Sequence, residues 1–276
     1  MSGGADSLAL LVLATAAGCE VTAVHVDHGL RPGSEDEADV VAAAAARFGA
    51  AFLSERVQVA PGPNVEARAR AARRAVLPAG TATGHTADDQ AETVLLNLLR
   101  GAGLDGLAGM RPGREKPILA LRRSETAALC AAAGLEPVRD PSNLDQRLRR
   151  NRVRHELLPL LDSIAERDVV PVLARQAELL RDEADLLDEL ASALDAGDGR
   201  ALATAPPALA RRAVRRLVAA RPPEAPPEGL PEGGHPPSAA AVERVLAVAR
   251  KEAAACEVEG GVRVRRSAGR LHVERS

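Results

Sequence analysis

Ser2-Gly3-Gly4-Ala5-Asp6-Ser7, followed at once by the apolar run Leu8 to Leu13, decides how the chain is read. Two adjacent glycines let a backbone turn tightly and approach an anion closely. A hydroxyl and the first free N–H groups of a helix then point at that anion, where the helix dipole also favours negative charge. Asp6 sets a carboxylate beside the anion, an arrangement that makes chemical sense when a divalent cation lies between them. The residues therefore spell a phosphate-binding loop feeding a helix. It is not a Walker A loop, because no G-K-[ST] follows. A Gly-rich turn with a Ser helix cap would use the same letters, so the rest of the chain has to decide.

The chain has 276 residues, 46% apolar and 27% charged, which suits a globular protein of one large or two modest domains. No run reaches the length of a membrane span, so no membrane association is expected. The phosphate loop starts at residue 2, which leaves no room for a signal peptide. Cys19, Cys130 and Cys256 are isolated and form no C-x-x-C pair, so neither a zinc knuckle nor an iron–sulfur site is indicated. A cytoplasmic protein with reduced thiols is the expectation. Net charge is −2, lysine occurs only at 116 and 251, and the only aromatics are Phe48 and Phe52. A protein of this composition that reads nucleic-acid bases must stack them on Arg or His planes.

Short β-like runs alternate with helical ones through the first hundred residues. Val21 to Asp27 and Phe52 to Val59 read as strands, and Thr81 to Gly84 as a short strand end. Ser34 to Phe48, Asn64 to Leu77 and Asp88 to Arg100 read as helices, the first with a Ser cap and acids in its first turn. The alternation predicts a parallel sheet covered on both faces, with ligands beyond the carboxyl ends of its strands. The loops starting at Ser2, His25 and His85 should converge there. A helix over Ser124 to Ala133, the turn Asp140-Pro141-Ser142-Asn143 and a long helix over Pro171 to Leu194 follow. In that helix Leu173, Leu180, Leu187 and Leu194 repeat every seven residues; so short a repeat suits a packed linker better than a coiled-coil seam. A basic helix over Pro206 to Ala220, an exposed Pro/Gly-rich loop over Arg221 to Pro237, a helix over Ser238 to Arg250 and hairpin strands over Glu257 to Glu274 complete a small α+β unit. The expected division is 1–165, a linker helix at 166–197, and 198–276.

Three constellations carry chemistry. His25-Val26-Asp27-His28 stands at the end of a strand; lacking a further ligand cluster, it suits nucleotide contact better than zinc, with His25 facing the sheet interior. His85, Asp89 and Glu92 gather two carboxylates on one helix face just after a histidine, which suits Mg²⁺ binding or acid–base work. Asp88 serves the helix dipole. Arg147, Arg149, Arg150, Arg152 and Arg154 put five arginines into eight residues of a slightly acidic chain, a basic patch fit for a nucleic-acid backbone. Arg68, Arg70, Arg73 and Arg74 make a second patch.

The loop Ser2 to Ser7 resembles the signature of the PP-loop (N-type) ATP pyrophosphatases. HVDHGLRPGSEDEADVV at 25–41, NVEARARAARR at 64–74, GHTADDQAETVLLNLLRGAGLDGLAGM at 84–110, DPSN at 140–143 and RNRVRHELLPLL at 150–161 resemble the tRNA(Ile)-lysidine synthase family, closely up to about residue 165. The resemblance implies an α/β, parallel-sheet PP-loop ATPase domain of the adenine nucleotide alpha hydrolase kind, then a linker helix and a small α+β C-terminal domain that binds tRNA. It implies ATP and Mg²⁺, a tRNA(Ile) with anticodon CAU and free L-lysine, in a monomer or homodimer. ATP would adenylate the C2 oxygen of the wobble cytidine, and the lysine ε-amine would then expel AMP. Carried over by position, Ser2, Gly3, Gly4, Ala5, Asp6, Ser7 and His25 would hold the nucleotide. Asp6 and Asp89 would hold the metal. Asp6, His85, Asp89, Glu92, Arg70 and Arg73 would line the reaction centre, and Arg149, Arg150, Arg152 and Arg154 would hold tRNA.

The chain departs from the family at three points. No apolar strand precedes Ser2, so the sheet is expected to lack a partner, with a misplaced start as the simplest explanation. Arg74 and Leu148 stand where the family usually has aromatics, and no second C-terminal domain follows. Rival readings remain: another PP-loop tRNA-modifying enzyme such as a thiolase, a small-molecule amide ligase, or a non-catalytic tRNA-binding homologue.

Overall fold

A computed structural model describes residues 1–27, 34–57, 65–138, 140–219 and 237–275. The turn at His28 to Arg31, the Asn64 cap, the end of the second strand at 58–59 and the Pro/Gly-rich stretch 220–236 lie outside the described residues. Two compact units, Met1–Arg181 and Asp182–Ser276, divide the chain within its longest helix.

In the first unit, helix α1 (Ala5–Ala16) leaves the phosphate loop and buries Leu8, Ala9 and Leu11. Strand β1 (Thr22–Asp27), rich in β-branched residues, pairs in parallel with β2 (Ala51–Arg56), Thr22 opposite Ala51 through Asp27 opposite Arg56. Helix α2 (Ser34–Arg47) connects them and contributes Val41, Ala44 and Ala45 to the core shared with α1 and Ala23. The backbone of Met1 lies alongside β1: its nitrogen donates to the Val24 carbonyl and its carbonyl accepts from His25 Nδ1 at 2.9 Å. Then come α3 (Val65–Val76), α4 (Ala87–Leu99), the short α5 (Leu104–Leu107) and α6 (Arg123–Ala132), which packs on α1. Cys130 of α6 is buried there, its thiol donating to the Ala5 carbonyl at 3.3 Å.

Two expectations about the sheet need correction. Thr81 to Gly84 is not a strand: the Thr83 N–H donates to the Glu115 carbonyl at 2.8 Å, so its backbone bonds a loop instead of a sheet edge. Nor is the sheet covered on both faces among the described residues. β2 is mostly exposed, and Leu53 shows 54% of its surface.

Helices α7 (Arg149–Arg152) and α8 (Leu158–Ala165) are joined by a single π-helical stretch, Val153–Leu157, in which the Leu158 N–H donates to the Val153 carbonyl. Val153 and Leu158 pack with Ala87, Ala91 and Leu95 of α4, and with Val169 and Val170 at the start of α9 (Val170–Ser192). In α9 the heptad leucines are only half-buried. The fully covered stripe is Ala177, Ala184 and Ala191, which are also seven apart, because a methyl side chain lets the helix approach its neighbours closely.

The second unit holds α10 (Gly199–Thr204), α11 (Pro207–Ala219), α12 (Ala239–Ala249) and an antiparallel sheet of β3 (Ala255–Val258), β4 (Val262–Ser267) and β5 (Arg270–Arg275). Its core joins Leu202, Val214, Val242, Val245 and Leu246 to the inward residues Val262 and Val264 of β4 and Leu271 of β5. The outward residues of β4, Arg263 and Arg265, alternate with these as a half-buried strand requires.

Candidate active site

The phosphate loop has the geometry its glycines suggested. Gly3 takes a φ of +69°, a left-handed conformation that a side chain disfavours, and its carbonyl accepts the Val138 N–H at 3.0 Å. A Cβ there would lie 2.8 Å from Val138 Cγ2. Gly4 is the N-cap of α1, and no side chain caps the helix. The Ser7 hydroxyl turns back to donate to the Gly4 carbonyl at 2.9 Å, with Ser2 Oγ 3.5 Å from Ser7 Oγ. An uncapped helix start behind two glycines, flanked by two hydroxyls, is a ready anion site.

Gly84 brings the second motif against the first. A Cβ at Gly84 would sit 2.7 Å from the Asp6 carbonyl oxygen and 3.0 Å from the Ser7 nitrogen, both backbone atoms that cannot swing aside. Gly84→Ala is therefore expected to cost about 1–3 kcal/mol as the two segments separate. ATP binding should fall with it. Chemical denaturation and nucleotide titration of the variant check both, and unchanged values would mean the contact is loose.

Three carboxylates and three guanidinium groups meet beside the loop. Arg123, at the start of α6, reaches Asp89 Oδ1 at 2.9 Å, Glu92 Oε1 at 3.2 Å and Asp6 Oδ2 at 3.6 Å. Arg150 Nε donates to Glu92 Oε2 at 2.6 Å and its Nη2 to Asp89 Oδ1 at 3.1 Å. Arg154 donates to both Glu92 oxygens, at 2.6 and 3.2 Å. Glu92 itself has no exposed surface. Asp89 is fixed further by the Thr86 N–H at 2.9 Å and the Thr86 hydroxyl at 3.1 Å. The Thr126 hydroxyl lies 2.5 Å from Asp6 Oδ1 and 2.9 Å from the Arg123 carbonyl. Next to this cluster, Arg122 grips Asp88 through two nitrogens at 3.1 and 3.3 Å, and the Arg123 N–H donates to Asp88 at 2.8 Å.

Charge states follow from these partners. Burial raises the carboxyl of Asp6, outweighing the Thr126 hydroxyl and Arg123. Asp89 runs the other way: burial would lift it, but Arg123, the Thr86 N–H and Arg150 together hold it below the usual carboxylate range. The Arg123 guanidinium is held more firmly protonated than usual, because Asp89, Glu92 and Asp6 outweigh its desolvation. The cluster is thus a set of matched ions.

The structure brings Asp6, Asp89 and Glu92 together, with His85 just before α4, its Nδ1 2.7 Å from the Thr83 hydroxyl. His25 is buried at the end of β1. Because its Nδ1 donates to the Met1 carbonyl, Nε2 is the bare acceptor, and it is buried with no partner among the described residues. Arg73 is exposed on α3, and no ion pair among the described residues joins it to the cluster. The side chain of Arg70 lies outside the described residues. The arginine block divides in two. Arg150 and Arg154 point inward to Glu92, whereas Arg149 is exposed, Arg152 pairs with Glu156 at 2.8 Å and Arg147 with Asp145 at 2.8 Å. The sequence suggests one basic patch for a nucleic-acid backbone; in the structure Arg150 and Arg154 pair instead with the buried Glu92. The π-helical turn, a feature often found at functional sites, lies within this segment.

Arg123 and Thr126 were not among the residues the sequence singled out. No spacing could flag them, since they lie 117 or more residues from Asp6, but a basic residue opening a helix after an apolar run was a faint signal.

Among known proteins, the PP-loop domain family matches residues 1–161. The chain is 46% identical over 231 residues to the tRNA(Ile)-lysidine synthase of Nocardia farcinica (strain IFM 10152), covering 78% of this chain and 73% of that protein. It is 44% identical over 248 residues to the enzyme of the same name from Leifsonia xyli subsp. xyli (strain CTCB07), covering 80% and 75%. The Mycobacterium leprae (strain TN) protein of that name is 43% identical over 234 residues, covering 78% and 72%. Among solved structures, the U34-tRNA thiolase NcsA from Methanococcus maripaludis shares the fold, with a TM-score of 0.52 at 18% identity over 66% of this chain and 71% of that one. With its phosphate loop, its clustered carboxylates and these relatives, the chain belongs to the tRNA(Ile)-lysidine synthase family of PP-loop proteins.

Proposed function

We propose that the chain makes lysidine in a tRNA(Ile) with anticodon CAU, acting in the cytoplasm. The C2 oxygen of the wobble cytidine attacks the α-phosphorus of ATP and expels pyrophosphate. The ε-amine of free L-lysine then attacks C2, loses a proton, and expels AMP. The observation that carries this reading is the uncapped start of α1 lying against the Asp6–Asp89–Glu92 cluster, in a chain whose relatives bear that name. The loop N–H groups and the Ser2 and Ser7 hydroxyls would hold the pyrophosphate portion. The bare Nε2 of His25 supports a nucleotide donor at the end of β1.

Among the described residues no three acidic, histidine or cysteine side chains form a metal site by themselves. Three arginines already balance the three carboxylates. Mg²⁺ at Asp6 and Asp89 therefore fits only in company with phosphate oxygens, where it would neutralise charge on the leaving pyrophosphate. Asp89, which Arg123 and Arg150 hold below the usual carboxylate range, would help orient the lysine ammonium electrostatically, with Glu92 fixing those arginines from behind. His85 would take the ammonium's proton.

The decisive assay measures AMP and pyrophosphate released from ATP by the purified chain, with and without transcript tRNA and lysine. Release that needs both, together with lysine incorporated at the wobble base, is expected. Release without tRNA would favour small-molecule ligation, and none at all would favour a non-catalytic tRNA-binding homologue.

The divided arginine block narrows where RNA would lie. Replacing Arg149 and Arg152 by alanine is expected to weaken tRNA binding and to lower the slope of log K against log salt by roughly 0.7–0.9 per lost phosphate contact. Replacing Arg150 and Arg154 should destabilise the fold instead, because they neutralise Glu92. Binding titrations across salt, paired with melting curves, separate the two halves; an unchanged slope in the first variant would remove Arg149 and Arg152 from the interface.

A further inference from the structure

We propose that Arg123, with Thr126, is the positioning residue that locks the phosphate loop to the acidic face of α4, an assignment that rests on the lysidine-synthase reading. Its planar fork spans carboxylates from two different helices: Asp6 of α1 through Nε, and Asp89 and Glu92 of α4 through Nη2 and Nη1. The backbone of the same residue donates to Asp88, and its carbonyl meets the Thr126 hydroxyl that lies on Asp6. One turn of α6 thereby touches every acid of the cluster. Glu92 has two further guanidinium partners in Arg150 and Arg154, and so has Asp89, Arg154 at the longer distance of 3.8 Å. Among the described residues Asp6 has Arg123 as its cationic partner, so the charge pairing that links its carboxylate to Asp89 runs through this one side chain, beside the backbone contact at Gly84. The two reacting ends of the site are the phosphate loop and the acids that would orient lysine. Misplacing one relative to the other is costly, because attack needs close and aligned atoms.

The groups facing Arg123 are Asp6 from α1, Asp88, Asp89 and Glu92 from α4, and Arg150 and Arg154 from the arginine block. They define an electrostatic test. Arg123→Gln should lower kcat by about a hundredfold while changing the KM for ATP far less. Arg123→Lys should recover little, because an ammonium is a compact charge that cannot bridge three carboxylates. Guanidinium added to Arg123→Ala should restore activity severalfold and leave the wild type unaffected.

A second readout needs no activity. Arg123→Gln removes one cationic partner from each of Asp6, Asp89 and Glu92, so its melting temperature should lie below the wild type at neutral pH. Added salt should narrow the gap, because it screens the charges that no longer cancel. Should Arg123→Gln fail to fold, Thr126→Val frees Asp6 alone and is expected to show the kcat loss without the melting gap. A melting gap unchanged by salt, or an Arg123→Lys enzyme with wild-type kcat, overturns the proposal. A wild-type chain that releases no AMP from ATP with tRNA and lysine would instead overturn the functional reading, while the melting gap still tests the clamp.

Discussion

Glu92→Gln is expected to lower stability by about 2–4 kcal/mol, among the largest effects of any single change in the chain. The side chain has no exposed surface and receives Arg123, Arg150 and Arg154 together. Glutamine keeps the shape but removes the charge, and its amide N–H₂ must point at one of the donors it replaces. Three guanidinium groups then share two carboxylates, Asp6 and Asp89, and one positive charge is left unmatched. Breaking one member of a buried ion network typically costs about 3–5 kcal/mol, and the figure is reduced here because the arginines keep 21–36% of their side-chain surface in water. Urea unfolding at neutral pH measures it. A loss under about 1 kcal/mol would mean that solvent already screens the arginines.

Asp6→Asn is expected to depress AMP formation by about a hundred- to a thousandfold, with tRNA binding nearly unchanged. Asp6 is the carboxylate closest to the phosphate loop, and the proposed reaction asks it to stabilise charge on departing pyrophosphate. Its stability effect should have the opposite sign to that of Glu92. Burial lifts its folded pKa above the unfolded value, so the carboxyl favours the fold when protonated and loses that benefit as pH rises through the folded value. Removing the charge should leave melting at neutral pH unchanged or slightly raised. A site residue that costs stability while serving chemistry is the pattern expected of an active centre. Wild-type turnover in Asp6→Asn would remove it from the mechanism, and a large drop in stability would make it structural.

Local chemistry was legible in the sequence. The Ser2 to Ser7 letters specified a glycine turn into a helix, since left-handed backbone and an N-terminal dipole are properties of a few consecutive residues. A β-branched run placed β1, the apolar start at Phe52 and Leu53 marked β2, and the spacing of Asp89 and Glu92 put two acids on one face of α4. The resemblance carried by the segments at 84–110 and 150–161 named the family that the comparisons show. The same local signals misled where pairing was at stake. Thr81 to Gly84 has strand-like residues yet bonds a loop, because a strand exists only where another backbone lies alongside. The leucine heptad of α9 drew attention away from the alanines that are actually covered.

Which charges cancel was decided by the tertiary structure alone. Five arginines within eight residues look alike on paper. Folding sends Arg150 and Arg154 to Glu92 and leaves Arg149 and Arg152 outside, through a helical segment whose π turn shifts the faces it presents. Arg123 and Thr126 reach Asp6 across more than a hundred residues of chain, a distance at which no periodicity operates. Sequence fixes what each residue can do within a turn of helix or a strand. The cost of burying a charge depends on which opposite charge the fold brings within about 3–4 Å, and that is a property of packing.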